Sequence, residues 1–179
     1  MARIPYADPN KFDEKTARLI GNLAPLNIFR MMANAPGILR PFIDLGGAFL
    51  FDGKLDSVTR ECAILRVGYL SAARYETAQH EKIGRDLGMT DALINAVKTG
   101  AAAVDLTDEQ RLALSYVDDL VKNVKADDIT FKPALAHFGA EKLQELTLVT
   151  GYYMMVCRFL ETFEVDIEPD GAVGLNVSE

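Results

Sequence analysis

Residues 55–88 read LDSVTRECAILRVGYLSAARYETAQHEKIGRDLG and carry the clearest helical pattern in the chain. After Asp56, apolar residues at positions 58, 62, 65, 67 and 70 recur near helical spacing. The small residues at 71–73 predict a break near Arg74, after which a second helix runs to Leu87 and stops at Gly88. This stretch therefore predicts two consecutive helices.

Helical patterns continue on both sides of these two helices. The prolines at 25, 36 and 41 divide the region before them into short helices, because proline disrupts a helix interior. Gly46-Gly47 predicts a loosened connection. Thr107 and Gln110 form a capping-box pattern, and Thr130 is expected to cap a short helix that Gly139 separates from the next. The further helices are predicted at residues 13–23, 25–35, 36–50, 90–100, 107–124, 130–138 and 141–164.

No strand pattern or internal repeat emerges, so an all-α helical bundle is predicted. The chain has 179 residues, of which 49% are hydrophobic, which predicts a single domain over residues 1–179 with a packed core. An irregular C-terminal arm is expected at about 165–179, where Pro169, Asp170 and Gly171 interrupt the pattern.

Charge and cysteine content limit the partners. The net charge is −7, and no basic run is present, which argues against nucleic-acid binding. No secretory signal opens the chain, and the longest uncharged stretch, 146–157, is about half of a membrane span. We therefore expect a cytoplasmic protein without a membrane partner, in which Cys62 and Cys157 are buried and reduced. A single bridge between the two stays open.

Glu76 and His80 are the first candidates for chemistry. At i and i+4 of one helix they project from the same face, and a carboxylate beside an imidazole fixes its tautomer and favours its protonated form. Glu61 lies in an apolar stretch and would complete a buried polar cluster if it packs against them. Two alternatives stay open, a solvated helix pair and a metal site. The metal site is disfavoured because zinc prefers His and Cys ligands.

Other residues carry weaker signals. The phosphate-binding and nucleophile motifs GxGxxG, GKS/T, GxSxG and HExxH are absent, and no cofactor or metal is predicted. The run Tyr152-Tyr153-Met154-Met155 is more typical of a core or interface than of a ligand site. Arg158 follows Met154 by one turn and would pair with a carboxylate, either Glu161 or that of a substrate.

Residues 55–89 resemble the carboxymuconolactone decarboxylase family, also called AhpD-like. The resembling features are Arg60-Glu61, an apolar helix, Tyr75-Glu76 followed by His80, and the terminal Gly88. The likeness extends over roughly residues 12–168. It implies an all-helical protomer that assembles into trimers or hexamers with sites near subunit contacts.

The family's redox branch carries Cys-x-x-Cys-x-x-x-His, and this chain has Ala73 and Glu76 at the two cysteine positions. The resemblance therefore implies the branch without thiols, and a cofactor-free lyase acting on a small carboxylated or lactone-type organic acid. In that implied mechanism His80 protonates a carbanion, while Glu76 orients His80 and Glu61 tunes the pair. The implied substrate-binding residues are Tyr75 and Arg158. Thr77 departs from the tryptophan usual in the family.

Two further hypotheses are kept from the same pattern. One is an alkylhydroperoxidase-like antioxidant activity that uses Cys62. The other is a non-catalytic oligomeric binding protein, in which the Glu/Glu/His cluster is only a structural network.

Overall fold

The computed structural model describes residues 1–172 and confirms the all-α class: this part of the chain holds no strand. A 3₁₀ turn at Pro9–Lys11 precedes the first helix, and a π turn at Ala48–Asp52 follows the third. The eight helices are α1 Glu14–Gly21, α2 Asn27–Met32, α3 Pro36–Gly47, α4 Ser57–Leu70, α5 Arg74–Asp86, α6 Asp91–Thr99, α7 Asp108–Asn123 and α8 Asp128–Phe163.

Most predicted helix starts are confirmed because short side chains cap them. Asp56 accepts a hydrogen bond from the Thr59 backbone N–H at the start of α4, and Thr90 does the same for Leu93 in α6. Thr107 and Gln110 form the predicted capping box of α7.

Two expectations about local structure are wrong. Asp127, and not Thr130, caps α8, because its carboxylate accepts from the N–H groups of Ile129 and Thr130 while the Thr130 hydroxyl donates to Asp119. Gly46 and Gly47 belong to α3 and do not loosen a connection, since both keep helical backbone angles that any residue can adopt.

Helix α4 is the centre of the molecule. Its ten consecutive residues from Thr59 to Gly68 are all buried, because α5, α6, α7 and α8 pack around it. One apolar core lies between α4 and the helices α2, α3, α7 and α8, and a smaller one lies between α4, α6 and α7. Because α4 is buried on every face, its charged residues also lie inside the bundle. The helix therefore shows no single apolar stripe facing a core.

Arg66 connects α4 to α6 and α7 beside the smaller core. Its guanidinium makes two hydrogen bonds to Asp118 of α7, at 2.5 and 2.9 Å, and donates to the backbone carbonyls of Val97 and Lys98 in α6. Gly100 has a φ of +99°, and a Cβ there would lie 2.5 Å from the guanidinium. Glycine is therefore required at the end of α6.

Helix α8 changes direction once, at Gly139, where φ is 72° and ψ is 173°. The sequence predicts a separation of two helices at this glycine, and the kink lies there. The segment 140–163 packs one face against α4 and leaves Leu148 and Met155 exposed. After Phe163 the described chain forms no helix, and residues 173–179 of the expected arm lie outside the described residues. No helix within residues 1–172 has the length and hydropathy of a membrane span.

Candidate active site

Three of the predicted side chains converge inside the bundle. Helices α4 and α5 are joined by a tight turn in which Ala72 adopts a left-handed φ of 50°. This turn packs α5 against α4 and brings Glu61 to Glu76 and His80. Glu61 Oε2 lies 2.6 Å from His80 Nδ1, and Glu76 Oε1 lies 3.1 Å from His80 Nε2. The imidazole is therefore held between two carboxylates, one at each ring nitrogen.

The surroundings of His80 decide its charge. Glu61 is fully buried, Glu76 and His80 are nearly so, and the edge of the Tyr153 ring packs against the imidazole at a centroid distance of 5.0 Å. Burial alone would lower the pKa of His80, but the carboxylates of Glu61 and Glu76 outweigh it and raise the pKa to about 10. At neutral pH His80 is consequently an imidazolium that hydrogen-bonds Glu61 through Nδ1 and forms an ion pair with Glu76 through Nε2.

Arg60 is a fourth charged member that reasoning from the residues alone did not select. It is buried beside Glu61, with Nε 3.7 Å from Glu61 Oε1. Two cations and two carboxylates then sum to zero charge inside the bundle. Among the described residues, Arg60 Nε, Glu61 Oε1 and Glu76 Oε1 make no well-directed hydrogen bond. A buried Arg-Glu pair in an apolar helix was the available signal, because such charges are rarely buried unless paired.

A cavity of about 610 Å³ lies against this cluster. Its walls come from the α1–α2 loop, α2, α3, the π turn, α5 and α8. Tyr75, Glu76, Gln79 and His80 form the polar side, and most other lining residues are apolar. This volume lies within the range of small-molecule sites. The cluster is thus buried beside space for a ligand.

Glu168 was missed by the sequence reasoning and anchors the polar side of the cavity. It belongs to the segment after α8 and is buried, at 9% exposure. Its Oε1 accepts from the Asn27 backbone N–H at 2.7 Å and from the Tyr75 hydroxyl at 2.5 Å, and its Oε2 accepts from Gln79 Nε2 at 2.5 Å. The hydroxyl proton of Tyr75 is therefore directed at Glu168 and away from a ligand.

We expect Glu168→Ala to lower the free energy of unfolding by about 2–4 kcal/mol, because three donors lose their acceptor in a buried setting. Urea denaturation measures the change. Asp170→Ala is the matched control, since Asp170 is an exposed carboxylate two residues along the same segment. Equal stability of the two variants would contradict the anchoring role.

The other candidates lie apart from the cavity. Arg158 is exposed, donates to the Met154 carbonyl at 2.7 Å and does not line the cavity. Its predicted contact with a substrate carboxylate has no geometric support within the described chain. Cys62 packs in the smaller core and Cys157 in the larger one; both are free thiols and neither lines the cavity.

The side chains around His80 are not arranged around one point at which a metal ion could bind. Each ring nitrogen already faces a carboxylate, so the three side chains bind one another. No group of three or more His, Cys, Asp or Glu side chains within residues 1–172 is arranged to hold a metal ion. An imidazole between two carboxylates can hold and transfer a proton.

Comparison with known proteins finds a family model that matches part of the chain. The model of the carboxymuconolactone decarboxylase family matches residues 36–119, the segment that contains Glu61, Glu76 and His80. This segment of the chain is therefore similar to the carboxymuconolactone decarboxylase family. The resemblance noted in the sequence is thereby confirmed. No curated protein matches the chain.

Solved structures share the fold of this chain. A peroxidase-related protein from Ralstonia eutropha JMP134, solved as an alkylhydroperoxidase AhpD core, superposes with a TM-score of 0.83 at 18% identity, over 94% of this chain and 93% of that one. A peroxidase-related protein from Silicibacter sp. TM1040 gives 0.77 at 17% identity, over 96% and 93%. A protein of unknown function from Agrobacterium tumefaciens, named as a candidate antioxidant defence protein AhpD, gives 0.71 at 20% identity, over 75% and 93%. Such low identities establish the fold and not the activity.

Proposed function

We propose that this chain is a cofactor-free acid–base enzyme that decarboxylates a small carboxylated or lactone-type organic acid, with His80 as the proton donor. The observation that carries the proposal is a buried imidazolium held between two carboxylates at the wall of an apolar cavity. General acids act most effectively when they are correctly protonated and within hydrogen-bond reach of the reacting atom. The raised pKa of His80 supports the first condition, and its place on the cavity wall gives a ligand access to the imidazole.

The reaction balances without a cofactor if the substrate holds its own electron sink. The bond between the substrate carbon and its carboxylate breaks and CO₂ leaves. The electron pair enters a conjugated carbonyl or double bond of the substrate, and the Nε2 proton of His80 then passes to the resulting carbanion. A proton from water restores the imidazolium. Such proton transfer is worth about 10²–10⁴-fold in rate.

The carboxylates have different parts in this proposal. Glu61 is fully buried and does not line the cavity, so it holds the Nδ1 proton and stabilises the imidazolium from behind. Glu76 lines the cavity and faces Nε2, so it orients the proton that is transferred. The apolar wall adds to the driving force, because a carboxylate buried there is less stable than the CO₂ it becomes.

The experiment is a panel of lactone acids and unsaturated keto acids, assayed for CO₂ release in D₂O. We expect turnover of at least one compound, with deuterium at the carbon that lost CO₂. Absence of CO₂ release across the panel, together with reduction of alkyl hydroperoxides, would overturn the proposal in favour of the peroxidase alternative.

The peroxidase alternative is supported by the names of the structural neighbours, but this chain's thiols do not favour it. Peroxide reduction requires a thiolate. Burial raises the pKa of both Cys62 and Cys157 to about 12, and Glu61 adds to the effect at Cys62. Almost no thiolate exists at neutral pH under these conditions. The cavity beside the cluster likewise favours an enzyme over a non-catalytic binding protein.

We expect neither thiol of the folded protein to react with an aromatic disulfide reagent at pH 7.5, because both sulfurs are buried and protonated. Both thiols should react within seconds once the protein is unfolded in guanidinium. Absorbance of the released thiolate counts the reactive groups. Fast reaction of one thiol in the folded protein, lost on Cys62→Ser, would restore the peroxidase hypothesis.

A further inference from the structure

The cavity offers a ligand very little charge. None of the described residues that line it is Lys, Arg or Asp, and its only charged side chains at neutral pH are Glu76 and His80. One carboxylate and one imidazolium therefore face the ligand together.

The imidazolium is already neutralised on both sides. Glu61 occupies Nδ1 at 2.6 Å, and Glu76 contacts Nε2 at 3.1 Å. One ligand carboxylate can reach Nε2 by displacing Glu76. A second carboxylate on the same ligand would find no described cation on the wall, and an unpaired charge in apolar surroundings is strongly disfavoured.

The rest of the wall suits an apolar body. Phe29, Phe42 and Tyr152 contribute aromatic surface, and Phe42 and Tyr152 stack with ring centroids 5.1 Å apart. Phe51 also lines the cavity while remaining 68% exposed, so apolar surface continues to the solvent side. Exposed aromatic surface at the edge of a cavity is typical of a site that takes up apolar ligands.

We propose that the substrate is single-headed, with an aliphatic or aromatic body and one polar head group that carries at most one negative charge. This inference rests on the proposed function, and it narrows the acid to a monocarboxylate whose carboxylate is the group lost as CO₂. Acids with two or more carboxylates are then excluded as substrates.

The test uses matched eight-carbon probes on the full chain. Octanoate and octanedioate differ by a second carboxylate, and γ-octalactone supplies an uncharged head. We expect calorimetry to show octanoate and the lactone binding about tenfold or more tightly than octanedioate. Affinity should rise by about fourfold for each methylene added between hexanoate and octanoate.

A cavity-filling variant locates the binding. Gly47 lines the cavity, keeps helical backbone angles, and a Cβ there would meet no atom within 4 Å. Gly47→Leu should weaken octanoate binding by about tenfold or more, because the added side chain takes apolar space. Gly37→Leu is the matched control in the same helix, since Gly37 is exposed, equally free of neighbours and not part of the cavity wall.

Three outcomes separate the two proposals. Octanedioate binding as tightly as octanoate would overturn the single-headed substrate, and so would octanoate binding that Gly47→Leu leaves unchanged. If octanoate binds with the expected pattern but no monocarboxylic lactone or keto acid releases CO₂, the proposed ligand class is supported and decarboxylation is overturned.

Discussion

We expect His80→Gln to lower kcat for the decarboxylated substrate by about 10²–10⁴-fold, the usual contribution of a positioned proton donor. Glutamine keeps a hydrogen-bonding side chain on the cavity wall but supplies no acidic proton. KM should change little, because the apolar body of the substrate accounts for most of the binding. Steady-state kinetics at pH 7 measures both constants.

The chain supplies its own control for this substitution. His137 is the other histidine, and it lies on the surface, where it contacts Glu109 at 3.3 Å, outside the cavity. His137→Gln should leave kcat unchanged. A His80→Gln protein that folds and keeps kcat within tenfold of the original would refute the proton-donor role.

A second variant covers the case in which His80→Gln fails to fold. Glu76→Gln leaves the imidazole and Glu61 in place and removes the carboxylate at Nε2. We expect kcat to fall while the pH at which activity is lost on the alkaline side moves below that of the original protein. The shift follows because Glu76 is one of the two carboxylates that raise the pKa of His80. A Glu76→Gln protein with an unchanged alkaline limit would contradict this coupling.

Local rules account for the parts of the structure that the sequence predicts well. Capping needs only neighbouring residues, so the starts of α4, α6 and α7 follow from Asp56, Thr90 and Thr107. The pairing of Glu76 with His80 follows from 3.6 residues per turn. The apolar stretch around Glu61 made it a conditional candidate, because its approach to the pair depends on the turn between α4 and α5.

Residues that depend on packing between distant segments could not be predicted in the same way. Glu168 meets Gln79 and Tyr75 across 89 and 93 residues, and a carboxylate in a segment with Pro and Gly is typical of an exposed loop. Arg158 shows how the position of a residue on a helix decides whether it reaches the cavity. It lies two residues after the cavity-lining Val156, about 200° around α8, so it points to solvent.

The oligomeric assembly implied by the resemblance stays a prediction. The apolar side chains of Leu148 and Met155 are exposed on α8, and Ile38 and Leu45 are exposed on α3. Stability measurements on this protein therefore need a fixed protein concentration.

Folding stability should fall as pH rises from 7 to 8.5, with a slope of about 1.4 kcal/mol per pH unit. The cause is His80. In the unfolded chain its pKa is near 6.5, whereas in the native protein burial is outweighed by Glu61 and Glu76, and the pKa is about 10. Below about pH 6.5 both states bind the proton, and the stabilisation is complete.

Between the two pKa values only the native state keeps the proton, so each rise in pH favours unfolding until the native pKa near 10 is passed. Towards the upper end of this range Cys62 and Cys157 begin to ionise in the unfolded chain, because the ordinary pKa of a cysteine is about 8.5. Their native pKa values of about 12 would then add a second slope of the same sign.

Urea denaturation at four pH values from 7 to 8.5 measures the slope, and two variants assign it. His137→Gln should keep the full slope, because His137 lies at the surface and contacts only one carboxylate, Glu109. His80→Gln should abolish the slope between pH 7 and about 7.5, where both cysteines stay protonated in the native and the unfolded state, and leave only the cysteine slope towards pH 8.5. A flat free energy of unfolding in the original protein would mean that His80 is neutral at pH 7. The proposed proton donor would then lack its proton, so this measurement on the unmodified chain tests the mechanism without any substrate.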